Sequence, residues 1–316
     1  MSKRPALSRP QKARATRARR KAVRKTLGRL RDRVLRGKTV VRYRVHVHQF
    51  FVWHRASGRV LPAAVLEFDS QLCAYAETLW EEGDGKSVLG NTLSGLAHFV
   101  PGLRGHLAGS WRLYKAWAKA EPGDRAPPFT VAMTQAISGV MLSKGYPRAA
   151  WCTMLAFHCV LRTGEFLELR STDTEVLPRS IQLRLRETKI GGRLNITEDV
   201  LVLDKWLVSV TRRLLATVFK GDVLVGMSAR AYRSLWRECA DTLKLPLACQ
   251  PYGLRRGGAT TFFQACGSFS RTADRGRWAS ERAMKTYVTT ALQEMAAQEF
   301  DESPLVRSYR QKLASL

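Results

Sequence analysis

The chain of 316 residues carries 53 Lys or Arg against 26 Asp or Glu, a net charge of +27, on a background that is 45% hydrophobic. Length and apolar content suit two domains with cores of their own, and the charge points to a polyanionic partner, nucleic acid first. No run of roughly eighteen apolar residues offers a membrane span, no apolar stretch follows the N-terminal cations as a secretory signal requires, and neither the six cysteines nor the six histidines form a zinc pattern, so membrane-spanning, secreted and metal-enzyme classes are set aside.

Residues 1–38 hold sixteen Lys or Arg and a single acid, Asp32, so +15 of the charge lies there and +12 is left for the other 278 residues. With so little apolar surface to bury, this stretch is predicted to be a disordered basic arm that turns helical on a polyanion. Such an arm suits gripping DNA, and equally import into a nucleus or residence at a nucleoid. Residues 39–120 read as a small helical domain, because "VVRYRVHVHQFFVWHRAS", "VLEFDSQLCAYAETLWEEG", "NTLSGLAHFV" and "LAGSWRLYKAWAKA" carry apolar residues at helical spacing. Arg42 and Arg44 lie between the apolar positions of the first of these and are candidate DNA contacts. The adjacent prolines of "EPGDRAPPFT" cannot continue a helix and mark a stiff linker over 121–128.

From 129 to 316 the pattern is again mostly helical. "VAMTQAISGVMLSKG" and "RAAWCTMLAFHCVLRTGEFLELR" are predicted helices, and "SIQLRLRETKIGGRLNI" alternates apolar and polar residues around Gly191-Gly192, which predicts a β-hairpin. Helical patterns then run to the C-terminus. The fold class is therefore mainly α with a small β-hairpin or sheet: a helical domain followed by a mixed α/β domain. The cysteines, Cys73, Cys152, Cys159, Cys239, Cys249 and Cys266, sit in apolar runs and read as small buried hydrophobes in a reducing compartment.

Three places put cations in apolar or tightly turned contexts. Arg162 closes a strongly apolar helix with Glu165 three residues on; alone, that is a helix ion pair. Lys189 lies two residues before Gly191 on the hairpin; alone, it is a solvated lysine. Arg255 and Arg256 follow a Pro-Tyr-Gly turn in "PYGLRRGGATTF"; alone, they are a basic helix start. Near the end, "GRWASERAMKTYV" carries Trp278 and Tyr287, and a lone tyrosine there is ordinarily a core aromatic.

Taken in order, these residues resemble the tyrosine recombinases, the phage-integrase family. Leu161-Arg162 with Glu165 matches that family's "LRxxE", Lys189 in "ETKIGG" its hairpin lysine, and "YGLR" its "HxLR", which assigns the second arginine to Arg255. Trp278 in "GRW" matches its "GH" or "GW", 23 residues after Arg255, and Tyr287 follows nine residues later. The resemblance covers about 129–302, and 39–120 is similar to the family's core-binding domain in position and class.

The resemblance implies a chemistry without metal, cofactor or ATP. Arg162 and Arg255 would fork onto the nonbridging oxygens of a DNA phosphate. Tyr287 would attack phosphorus to give a 3′-phosphotyrosine, and Lys189 would protonate the departing 5′-oxygen. A helix is predicted to carry Tyr287, and the segment beyond it to dock on a neighbouring protomer; Tyr309, in a polar tail, is out of register. One departure stands out: Tyr252 occupies the place of the family's histidine, and a phenol donates a hydrogen bond more readily than it accepts a proton near neutral pH. The implied partners are double-stranded DNA and three further copies in a homotetramer on synapsed DNA, the implied setting a mobile element. Arg256, Arg277 and Arg193, beside these motifs, join Arg42 and Arg44 as candidate DNA contacts. The competing readings are a domesticated DNA-binding protein whose site has decayed at Tyr252, and strand relaxation of the type IB topoisomerase kind.

Overall fold

The computed structural model describes residues 9–35, 37–123, 126–185 and 198–316. The chain divides into two compact units, Met1–Gly123 and Asp124–Leu316.

In the first unit, helix α1 spans Arg9–Leu27. It lies in the stretch for which the sequence reading expects an arm that turns helical on a polyanion. The segment holds nine Lys or Arg, no acid and no glycine, and its one proline sits in the first turn. Ala, Arg and Lys are strong helix formers, and proline is tolerated at that end. Residues 16–26 of α1 are all exposed, so over that stretch the helix is formed by propensity and buries no apolar face. Helices α2 (Gly37–Ala56), α3 (Val65–Glu81), α4 (Lys86–Phe99) and α5 (Ala108–Ala120) make a bundle in which α2 lies on α4 and α3 on α5. Phe50, Leu72, Leu89 and Leu93 are fully buried at its centre. Asp69 of α3 is buried too and accepts from the N–H groups of Gly109 and Ser110 at 2.7 and 3.1 Å, and from the Ser110 hydroxyl. It thereby satisfies the free amides at the start of α5 from a neighbouring helix.

The second unit begins with α6 (Val131–Ser143), α7 (Pro147–His158) and α8 (Thr163–Glu168). A three-stranded antiparallel sheet follows, in the order β1 (Thr174–Val176), β2 (Ile181–Leu185), β3 (Glu198–Val202). Strand β2 pairs with β3, Ile181 opposite Val202 and Leu185 opposite Glu198, a register centred on Gly191-Gly192 as the hairpin reading expects. The reason is alternation: Val200 and Val202 face inward with Ile181, Leu183 and Leu185, while Asp199 and Leu201 face outward. The segment from 186 to 197, with Lys189 and Arg193, lies outside the described residues.

Helices α9 (Lys205–Leu215), α10 (Ala229–Thr242), α11 (Gly253–Cys266), α12 (Phe269–Gly276) and α13 (Glu281–Lys285) come next, then α14 (Thr290–Ala296), a π-helical turn (Ala297–Asp301) and α15 (Pro304–Lys312). Helix α11 packs on α7 and α12. A Cβ added to Gly257 would overlap the carbonyl of Phe129, and one on Gly258 the carbonyl of Phe157, so α11 meets its neighbours at backbone distance. At the C-terminus α15 packs on α6 so closely that a Cβ on Gly139 would overlap the carbonyl of Tyr309. Val306 and Leu313 are buried there. The tail expected to reach a neighbour is thus folded onto its own chain, because its few apolar residues fall on one face of a short helix that α6 can cover.

Candidate active site

Tyr287 does not lie on a helix, which corrects the sequence expectation. Helix α13 ends at Lys285, α14 starts at Thr290, and Tyr287 sits in the turn between them, its N–H donating to the Met284 carbonyl at 2.7 Å. Val288, Thr289 and Thr290 are β-branched and poor at carrying a helix across this point. The buried Thr260 of α11 accepts the Thr289 N–H at 3.2 Å and ties the turn to the core.

Around that turn the structure gathers residues far apart in sequence. The Tyr287 and Tyr252 hydroxyls are 2.7 Å apart, and the Trp278 and Tyr287 rings meet with centroids at 4.8 Å. Beneath them lies Arg255, fully buried, its guanidinium carbon 4.3 Å from the Trp278 centroid and 5.6 Å from that of Tyr287. Arg255 donates Nη1–H to the Val160 carbonyl at 2.5 Å and Nη2–H to that of Gly276 at 2.6 Å. Burial, with the positive charges of Arg162 and Arg277, pushes its proton affinity down to about 9, which still leaves it charged at neutral pH. Burial and the bond to Tyr287 push the Tyr252 phenol up to about 12. The charge of Arg162 acts on both Arg255 and Tyr252, so the two arginines and the phenols share one site.

Arg162 precedes α8 and pairs with Glu165 on that helix, Nη1 to Oε1, at 2.5 Å. The other oxygen, Oε2, accepts the Arg162 backbone N–H at 2.8 Å and Nη2–H of Arg277 at 2.7 Å. Burial alone would raise the Glu165 carboxyl, but Arg277 and the two Arg162 donors outweigh it and hold the carboxyl below its usual range. Arg277 also faces Glu198, the first residue of β3, at 3.2 Å. Among the described residues, the Arg162 guanidinium has no hydrogen-bond partner besides Glu165, which leaves the rest of its fork for a ligand.

Two expected DNA contacts are turned inward. Arg277 has a side chain only 9% exposed between two carboxylates, and Arg256 is buried with Nη1 on the Ala126 carbonyl at 2.9 Å. A buried guanidinium needs acceptors close by, and each found them within the unit. Arg42 and Arg44 are exposed on α2 of the first unit. The sequence reading overlooked Glu198 and Arg275, which donates to the carbonyls of Leu201 and His158 at 2.9 Å each. The available signal was a run of arginines around Gly276 without a matching run of acids.

Gly276 makes room for the indole: a Cβ there would overlap the Trp278 ring. Gly276→Ala is expected to displace Trp278 and lower stability by about 1–3 kcal/mol. The check is the indole N–H resonance of Trp278, assigned with Trp278→Phe, which moves in the variant, together with its thermal midpoint, which falls.

No model of a known protein family matches the sequence, and no curated protein matches it. Solved structures do match the fold. A lambda integrase dimer bound to a COC′ core site aligns with a TM-score of 0.57 at 17% identity, over 82% of this chain and 90% of that one. The Tn1549 transposon integrase in complex with circular intermediate DNA gives 0.54 at 15% identity, over 80% and 98%. The XerH site-specific recombinase bound to palindromic difH substrate gives 0.56 at 13% identity, over 82% and 78%. At these identities the likeness speaks for architecture, and that architecture is the tyrosine-recombinase fold.

Proposed function

We propose that the chain is a site-specific DNA recombinase that cuts and rejoins DNA through a phosphotyrosine on Tyr287. The reading is carried by one observation: the Tyr287 hydroxyl sits against that of Tyr252 and its ring lies over the Arg255 guanidinium. In the proposed step the Tyr287 oxygen bonds to phosphorus as its phenolic proton leaves. The bond from phosphorus to the 5′-oxygen breaks, and that oxygen takes up a proton, for which Lys189 is the proposed donor. Arg162 and Arg255 offset the charge of the five-coordinate phosphorus, a role for which preorganised donors are the largest single contribution in many enzymes. The covalent link conserves the phosphodiester, so a 5′-hydroxyl from a second duplex reseals it by the reverse path without ATP.

Arg255 is fully buried beneath the Trp278 and Tyr287 rings, so phosphate reaches it only once the Tyr287 turn lifts away. The basic helix α1 and the exposed Arg42 and Arg44 supply charge for phosphate contacts outside the site. Synapsis by four copies, a mobile element as source and a nuclear setting belong to the same proposal. A second reading, DNA binding without chemistry, is favoured by the Tyr252 phenol at about 12, which accepts no proton near neutrality.

The test is a covalent adduct. Incubated with a DNA pool containing the ends of its own element and then denatured in SDS, the wild-type protein is expected to retain a labelled strand, and Tyr287→Phe to retain none. Equal yields from the two proteins would end the assignment, and salt-sensitive binding with no adduct from either would leave the second reading.

A further inference from the structure

Two of the three non-glycine residues with positive φ among the described residues are at the site, Val160 at 52° and Arg277 at 57°. Both conformations are strained for a side chain with a Cβ, and such strain gathers where the surrounding structure needs a fixed geometry. Arg277 ends α12 at a position that glycine ordinarily takes. It is nonetheless a large cation with a side chain only 9% exposed. What it gains there is contacts with three elements: hydrogen bonds to Glu165 of α8 at 2.7 Å and to the Cys159 and Val160 carbonyls after α7 at 3.4 Å each, and an ion pair with Glu198 of β3 at 3.2 Å. The Val160 carbonyl also accepts from Arg255, so the two strained residues and the two arginines share one oxygen.

We propose that Arg277 is a positioning residue: its guanidinium locks Glu165 and the root of β3 together, and Glu165 so held presents Arg162 to the phosphate. The inference rests on the reading of the site given above and adds to it a part for the residue between Gly276 and Trp278. The mechanism is a division of labour on one carboxylate. Arg277 occupies Oε2 together with the Arg162 backbone N–H, which leaves Oε1 for the Arg162 guanidinium. Without Arg277 the buried carboxylate loses the partner that offsets burial most, and Glu198 is freed from α12. Arg162 then has both oxygens open to its guanidinium and no single fixed direction.

The informative variant is Arg277→Gly, because glycine relieves the strained φ while deleting the guanidinium. The groups that face Glu165 are Arg162 ahead of α8 and Arg277 after α12, with Arg255 of α11 and Glu198 of β3 beside them. With Arg277 gone the Glu165 carboxyl rises, so it takes a proton at a higher pH. Arg277→Gly is expected to slow adduct formation on the order of tenfold to a hundredfold, with the acid limb of the pH–rate profile moved upward. Arg277→Lys keeps the charge and is expected to restore the limb but only part of the rate. A wild-type rate and an unmoved limb in Arg277→Gly would overturn the proposal.

A second readout does not depend on activity. The carboxyl ¹³C resonance of Glu165, assigned with Glu165→Gln, titrates at a higher pH in Arg277→Gly than in wild type if the proposal holds. An unchanged midpoint overturns it. Absence of an adduct from wild type would strike the recombinase reading and leave the titration to decide this one. If Arg277→Gly does not fold, Glu198→Gln removes only the β3 pair, and it is expected to slow adduct formation severalfold with the acid limb in place. A wild-type rate there again counts against the proposal.

Discussion

Tyr252→His raises the single-turnover rate of adduct formation on the order of 10²-fold near neutral pH, the expected gain from placing a general base at the nucleophile. The argument starts from the 2.7 Å between the two hydroxyls. One proton lies between them, and it must leave as Tyr287 bonds to phosphorus. The Tyr252 oxygen is a poor place for it, because burial and the Tyr287 hydroxyl raise the phenol to about 12, with Arg255 and Arg162 opposing only in part. Tyr252 therefore stays protonated across the physiological range and serves as a donor. A neutral imidazole at that position accepts the proton.

The sign of the pH dependence follows. Wild type is expected to show no limb from residue 252 between roughly pH 6 and 9, since its phenol titrates above that window. The histidine variant is expected to gain a limb that rises with pH through about 6.5, where imidazole loses its proton. Tyr252→Phe removes the hydroxyl donor and is expected to slow the reaction below wild type. Rates of the histidine and wild-type proteins that coincide at every pH would show that residue 252 takes no proton, and would remove the physical basis for treating Tyr252 as a weakened base.

What was legible in the sequence was local. The four helices of the first bundle follow their apolar spacing. The residues drawn together at the Tyr287 turn, Arg162, Tyr252, Arg255 and Trp278, stood out by motif and spacing. Long-range partners were not legible. Nothing around Glu198 announces that it faces Arg277 across 79 residues. The arginines at 256 and 277 were taken as surface cations because charge is ordinarily outside; whether a guanidinium finds carbonyls or carboxylates inside depends on the tertiary structure. The break at Tyr287 was concealed by an amphipathic pattern that runs on through it, and the hold of Thr260 on Thr289 fixes it together with the β-branched run from Val288 to Thr290.

Arg255→Lys lowers the rate of adduct formation about 10²-fold, close to the ~3 kcal/mol lost with one preorganised donor to a transition state, and leaves DNA affinity within a few-fold of wild type. The guanidinium has five N–H groups in a fixed plane, and the carbonyls of Val160 and Gly276 take two of them, leaving the remainder for a phosphate oxygen pair. Lysine has three donors on one nitrogen. If it satisfies the same two carbonyls, a single N–H is left, aimed by the chain rather than by a plane. If it turns to the phosphate, a buried carbonyl is left unpaired, which costs stability instead of rate. Charge is retained in either case, so the electrostatic attraction to DNA, spread over α1 and the exposed arginines of α2, stays in place. The experiment pairs a salt-dependent binding isotherm with single-turnover cleavage and a thermal midpoint. A parallel fall of affinity and rate would make Arg255 a simple anchor. An unchanged rate would mean that its five-donor fork is spent on holding Val160 and Gly276, and that the phosphate is stabilised by Arg162 alone.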